Sequence, residues 1–70
     1  MIIHASTVEL QPTDIRLLAE SGLSIDADVP HGTVPVGLAD FTSRLRAVRA
    51  RTQDPARRAV IVSFLKQLRA

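Results

Sequence analysis

The chain has 70 residues, of which 46% are apolar and 23% charged, with a net charge of +2 and no cysteine. This length allows one small domain, and the composition is too apolar for a disordered chain. Disulfides and thiolate metal sites are excluded, and no stretch reaches the ~20 apolar residues that a membrane span needs.

The first two elements are an extended lead-in and a short helix. Residues 1–11 contain β-type residues without sustained alternation, so the sequence predicts an extended segment. A helix is predicted over residues 12–21, because Pro12 suits the first helical position and Gly22 can adopt the left-handed conformation that ends a helix.

A β-hairpin is predicted over residues 23–36. Apolar and polar residues alternate from Leu23 to Val29, the period of a strand with one buried face. Pro30, His31 and Gly32 form a turn signal, after which the chain can return as a second strand. Pro35 cannot donate a ladder hydrogen bond, so this second strand is expected at the edge of the sheet.

Two further helices are predicted over residues 37–51 and 55–69, each with apolar residues at three- and four-residue steps. Asp54 is a suitable cap and Pro55 a suitable first residue for the second of them. The fold class is therefore α+β, in the order helix–β-hairpin–helix–helix (αββαα). The predicted core consists of Ile15, Leu18, Ile25, Leu38, Phe41, Leu45, Val48, Ile61, Phe64, Leu65 and Leu68.

Residues that could carry chemistry are sparse, so we expect no enzyme, no metal site and no cofactor. His4 and His31 are isolated histidines outside any nucleophile motif, and the three glycines form no phosphate loop. Asp26 and Asp28 would share the polar face of a strand, where solvated carboxylates are the ordinary interpretation.

Charge is distributed unevenly along the chain. Residues 1–35 carry five acidic side chains and one arginine, whereas residues 36–70 carry eight basic and two acidic side chains. On a helical wheel the arginines of the helix 37–51 flank its apolar face instead of forming one stripe. They indicate either a solvated collar or a surface for an acidic partner.

The sequence favours a non-catalytic protein–protein interaction module. Apolar residues exceed what one small core needs, which predicts a homodimer or a partner groove with Val60, Val62 or Ile2–Ile3 in the contact. An exposed strand edge could also pair with a peptide. The predicted binding surface for an acidic peptide or partner subunit comprises Thr33, Val34, Arg44, Arg46, Arg49 and Arg51.

A family resemblance supports this interpretation. The stretch Leu17–Leu23, followed by Pro30–Gly32 and a helix rich in Leu, Arg and Ala, resembles the N-terminal β-hairpin docking domains of nonribosomal peptide and polyketide synthetase subunits. The resemblance implies capture of an acidic C-terminal peptide of an upstream subunit. Arg49 or Arg51 would stand in for the lysine usual in those domains near the end of the second helix.

Two alternatives stay open: a small phage- or secretion-related regulator that blocks a larger machine, and a basic regulator that binds nucleic acid. The first residues show neither the basic nor the apolar region of a secretion signal, so we expect a cytoplasmic protein with no membrane contact. The arginine- and alanine-rich composition is typical of a bacterial, GC-rich source.

Overall fold

A computed structural model describes residues 1–25 and 32–69 of the chain. Six elements follow one another there: β1 (Ile2–Ile3), β2 (Thr7–Leu10), α1 (Pro12–Glu20), β3 (Val34–Gly37), α2 (Leu38–Arg51) and α3 (Pro55–Arg69). The α+β class is confirmed, and each helix begins and ends within one residue of its predicted bounds.

The strands form one antiparallel sheet in the order β1-β2-β3, with β2 in the centre. The register places Ile3 opposite Val8 and Val8 opposite Val36. Because directly opposed residues share a face, these three side chains lie on the side of the sheet that contains the core. The other face carries Ile2, Glu9 and Pro35, which are opposed in the same way.

The structure corrects the strand pairing predicted from the sequence. The hairpin assigned to residues 23–36 does not account for the observed sheet: Leu23, Ser24 and Ile25 lie outside any strand, and residues 26–31 lie outside the described residues. Val34–Gly37 is indeed a strand, but its partner is Thr7–Leu10. The supposed lead-in supplies the central strand because Val8 and Leu10 alternate with polar neighbours and become fully buried.

Helix α1 ends in a Schellman motif, as the glycine signal predicted. Gly22 has a φ of +102°. Its N–H donates to the carbonyl of Ala19 at 3.1 Å, and the N–H of Leu23 donates to the carbonyl of Leu18 at 2.8 Å. Leu18 and Leu23 are both buried, which supplies the hydrophobic contact that accompanies this motif. The motif therefore turns the chain back into the core after Glu20.

All three helices pack around a single aliphatic core. Eight of the eleven predicted core residues are buried, and the other three, Ile25, Leu38 and Leu68, are partly buried against it. The prediction missed Val8, Leu10 and Leu23, which are also buried. The full set of buried apolar residues is Val8, Leu10, Ile15, Leu18, Leu23, Phe41, Leu45, Val48, Ile61, Phe64 and Leu65.

Helices α2 and α3 run antiparallel. The rings of Phe41, near the start of α2, and Phe64, in the second half of α3, meet edge to face with centroids 6.3 Å apart. Residues 52–54 make the connection, in which the N–H of Thr52 still bonds to the carbonyl of Val48. The C-terminal end of α2 and the N-terminal end of α3 therefore lie side by side.

Candidate functional site

The six residues predicted to bind a partner lie on or beside two elements. Thr33 is exposed just before β3, and Val34 is partly buried as the first residue of that strand. The four arginines are exposed on α2. They project from both sides of the helix, because Phe41, Leu45 and Val48 take the buried face.

The structure separates the strand edge from two of the predicted arginines. β3 leads directly into α2, with Gly37 as both the last strand residue and the cap of the helix. Arg49 and Arg51 follow Leu38 by 11 and 13 residues, which at 1.5 Å per residue places them about 17–20 Å along the helix axis. A short peptide strand on β3 would lie at the opposite end of α2 from these guanidinium groups.

Pro35 also weakens the outer edge of β3 as a template for a peptide. The N–H of Leu38 donates to the carbonyl of Ser6 at 3.0 Å, toward β2. Backbone groups alternate in direction along an antiparallel strand, so Val36 faces β2 and Pro35 faces away from it. The outward position therefore has a carbonyl and no N–H to offer. Proline at this place is a known protection of sheet edges.

Arg44 has a structural partner. Its Nη2 donates to the carbonyl of Ser24 at 2.6 Å, across 20 residues of sequence. This bond ties the segment after α1 to the side of α2. Gly22 lies on the same side, since a Cβ added there would meet Cγ1 of Val48 at 3.8 Å. Arg44 therefore contributes to holding the fold and is not grouped with the arginines at the far end of the helix.

A cluster of arginines that was not predicted from the sequence lies where α2 and α3 meet. The last turn of α2 contributes Arg49 and Arg51, and the first turns of α3 contribute Arg57 and Arg58. All four side chains are exposed. We call these four residues the basic end. Arg46 lies one turn before Arg49 on the same side of α2 and continues the charge along it.

One carboxylate lies within the sequence of the basic end. Asp54 caps α3: its Oδ1 accepts the N–H of Ala56 at 3.0 Å. Its Oδ2 lies 3.7 Å from Nε of Arg57. Such an exposed pair contributes little and is screened by salt. The first turn of α3 contains no acidic residue, so the capping Asp54 is the carboxylate that offsets the placement of Arg57 and Arg58 at the positive end of the helix dipole.

Arg57 and Arg58 were missed because the arginines were assessed on one helix at a time. The sequence already indicates that a new helix begins a few residues after α2 ends, because Asp54 is a cap and Pro55 suits the first helical position. The basic pair Arg57-Arg58 follows directly in the first turns of that helix. Such a short connection makes neighbouring helices antiparallel, which brings the two termini together. That signal could have identified the basic end before the fold was known.

A cleft lies between α1 and α3. It is a cleft of about 350 Å³ lined by Asp14, Leu17, Ala59, Val60, Ser63, Phe64 and Gln67. Leu17 is 42% exposed at its rim, and Phe64 forms part of its floor at 5% exposure. The lining has no cluster of titratable or nucleophilic groups, because Asp14 is its single ionisable residue.

Metal-ligating residues do not gather in the part of the chain that the structure describes: no three His, Asp or Glu side chains there could hold an ion together. Among the described residues His4 lies 3.7 Å from Oε2 of Glu9 on the outer face of the sheet. No helix of the described residues is long and apolar enough to cross a bilayer.

Comparison with known proteins returns no match to a family model, to a curated protein or to a solved structure.

Proposed function

We propose that the chain is a non-catalytic interaction module that binds an acidic segment of another protein at the basic end. One observation carries the proposal: four exposed arginines from two helices lie together at one end of the helical pair α2–α3. The sequence that connects the two helices contributes a single carboxylate, that of Asp54. Guanidinium groups bind carboxylates through paired, charge-assisted hydrogen bonds, so several of them on one surface favour a ligand with several carboxylates.

The arrangement favours a protein ligand over nucleic acid. A helix that reads a DNA groove projects its contacts from one common face, whereas Arg49 and Arg51 lie on opposite sides of α2. Stacking on single-stranded bases needs exposed aromatic rings. The chain has two aromatic residues, Phe41 and Phe64, and both are buried in the core. A nucleic-acid contact would therefore consist of phosphate neutralisation alone.

Strand addition at residues 33–36 is not part of this proposal, because Pro35 removes the outward N–H and the edge lies far from Arg49 and Arg51 along α2. The resemblance to synthetase docking domains adds one expectation about the ligand. The acidic segment would be the C-terminal end of a partner subunit, which an unstructured peptide can represent in a binding assay.

Titration of the 15N-labelled chain with a ten-residue glutamate-rich peptide tests the proposal. We expect amide shifts clustered at residues 49–51 and 54–58 and an affinity that falls with salt. Arg49→Ala and Arg57→Ala should each weaken binding about two- to tenfold, as is typical for charges at the rim of an interface. Arg16→Ala, which removes an exposed arginine from α1, is the matched control and should leave the affinity unchanged.

The same titration with a DNA duplex of unrelated sequence separates the alternatives. Tighter binding of the duplex than of the peptide, with a steep fall in affinity as salt rises, would favour the nucleic-acid regulator. Peptide-induced shifts spread evenly over the surface would contradict the proposal. They would indicate that the arginines of the basic end are solvated surface residues that bind no ligand.

A further inference from the structure

Asp54 places a carboxylate among the arginines of the basic end. It is the last residue of the connection 52–54 between α2 and α3. Its two oxygens have different neighbours: Oδ1 accepts the N–H of Ala56 at 3.0 Å, and Oδ2 lies 3.7 Å from Nε of Arg57. The first contact caps a helix. The second sets a negative charge against a guanidinium group of the candidate site.

The distance between Oδ2 and Nε shows how Asp54 acts on Arg57. Charge-assisted hydrogen bonds from nitrogen to oxygen are about 2.7–2.9 Å long. At 3.7 Å the two groups attract each other by charge, but the contact does not fix the orientation of the guanidinium group. Both side chains are also exposed, Arg57 by 59% and Asp54 by 51%, so the pair is weak and another carboxylate can replace it. Asp54 therefore offsets the charge of Arg57 without positioning it.

The helix cap keeps Asp54 close to Arg57. Because Oδ1 is bonded to the N–H of Ala56, the carboxylate stays beside the first turn of α3. A ligand loses translational and rotational freedom when it binds, whereas Asp54 is already held beside Arg57 by its own chain. Even a weak pair within the chain therefore competes with the carboxylate of a ligand for this arginine.

We propose that Asp54 is an intramolecular competitor of the acidic segment, and that a carboxylate of the ligand takes the place of Asp54 Oδ2 against Arg57. This inference rests on the proposed function of the basic end and identifies the residue that limits its affinity. The effect is local to Asp54. Asp40, in the first turn of α2, precedes Arg51 by 11 residues, about 17 Å along the helix axis. That distance exceeds the screening length of about 8–10 Å at ordinary salt concentrations.

Asp54→Asn tests the competitor without removing the cap, because asparagine is as good an N-cap residue as aspartate. We expect this variant to bind the ten-residue glutamate-rich peptide about two- to fivefold more tightly at low salt, measured by the same amide-shift titration. The gain should disappear at about 0.5 M salt, where exposed charges are screened. Asp40→Asn removes an equal charge from the first turn of α2 and should leave the affinity unchanged.

A double-mutant cycle with Arg57→Ala shows whether Asp54 acts through that arginine. We expect the gain from Asp54→Asn to fall by at least about half, on a logarithmic scale, when Arg57 is already alanine. Unchanged or weaker binding in Asp54→Asn, while Arg49→Ala and Arg57→Ala still weaken it, would overturn the competitor and leave the proposed function intact. An equal gain from Asp40→Asn would also overturn it, because affinity would then follow net charge alone. Arginine substitutions without any effect on binding would refute the proposed function and this inference together.

Discussion

At the scale of single residues, Gly22 shows how one backbone conformation positions two parts of the core. Its φ of +102° allows the Schellman motif that brings Leu23 back against Leu18. A side chain in the left-handed region costs roughly 1–2 kcal/mol, even though the space around Gly22 would accept a methyl group. The constraint at this position is thus conformational and not steric.

Gly22→Ala should lower the free energy of unfolding by about 1–2 kcal/mol, measured by urea denaturation. Gly37→Ala is the control, because Gly37 has a φ of −63° and its added Cβ would meet Asp40 Cβ at an ordinary 3.8 Å. That variant should lose about 0.5 kcal/mol, because a helix N-cap prefers glycine to alanine, and so should be less affected than Gly22→Ala. Equal effects of the two substitutions would contradict a conformational role for Gly22.

Phe64 is one of the two aromatic side chains buried in the core. It is 5% exposed and meets Phe41 edge to face. Phe64→Ala should cost about 3–5 kcal/mol, close to the whole stability of a domain of this size. Thermal melting followed by circular dichroism measures the loss. A cooperative transition near that of the unmodified chain would show that Phe64 is not central, whereas Leu17→Ala at the exposed rim should change little.

At the scale of elements, the helices were predictable and the strand pairing was not. A helix is specified locally, so the apolar spacing of Phe41, Leu45 and Val48 and the break at Asp54-Pro55 sufficed to bound α2 and α3. A strand is completed by a partner that can be anywhere in the chain, and the alternation at Leu23–Val29 outweighed the shorter one at Thr7–Leu10. The candidate site was incompletely predicted for the same reason. The arginines of α2 could be recognised from their own helix, whereas Arg57 and Arg58 become their neighbours only through the antiparallel packing of α3 on α2.

Because β2 is the central strand, substitutions on its two faces test which face is buried in the core. Val8 is fully buried, whereas its neighbour Thr7 is partly buried on the opposite face. Val8→Thr places a hydroxyl in an apolar core and should cost about 1–3 kcal/mol. Thr7→Val exchanges the same two side chains on the other face and should change the free energy of unfolding by less than about 0.5 kcal/mol. Similar losses from both would contradict the observed register.

At the scale of the whole molecule, the placement of charge opposes the stability of α3. Two arginines occupy its first turns, where the helix dipole favours anions. Natural sequences are rarely at their stability optimum, and this placement is compatible with the binding role proposed for the same arginines. The basic end therefore links the fold to the proposed function through one helix terminus.

Arg58→Glu should change stability and binding in opposite directions. A carboxylate in the first turns of α3 should raise the free energy of unfolding by about 0.3–1 kcal/mol at low salt. The same change should abolish measurable affinity for the acidic peptide. Lys66→Glu reverses a charge of the same sign nearer the other end of the helix, where it should slightly destabilise the fold and leave binding unchanged. Loss of stability in Arg58→Glu would refute the account of the dipole, and retained peptide binding would refute the site.

The central place of β2 also has a consequence for the order in which the chain folds. β1 pairs with β2 within a few residues, and α2 packs on α3 across a three-residue connection, so both contacts can form in microseconds. The pairing of β2 with β3 must close the loop of residues 11–33, which contains α1, and so carries a larger entropic cost. We therefore expect the hairpin and the helical pair to form early, and the docking of Val34–Gly37 beside Thr7–Leu10 to be the slow step that joins them.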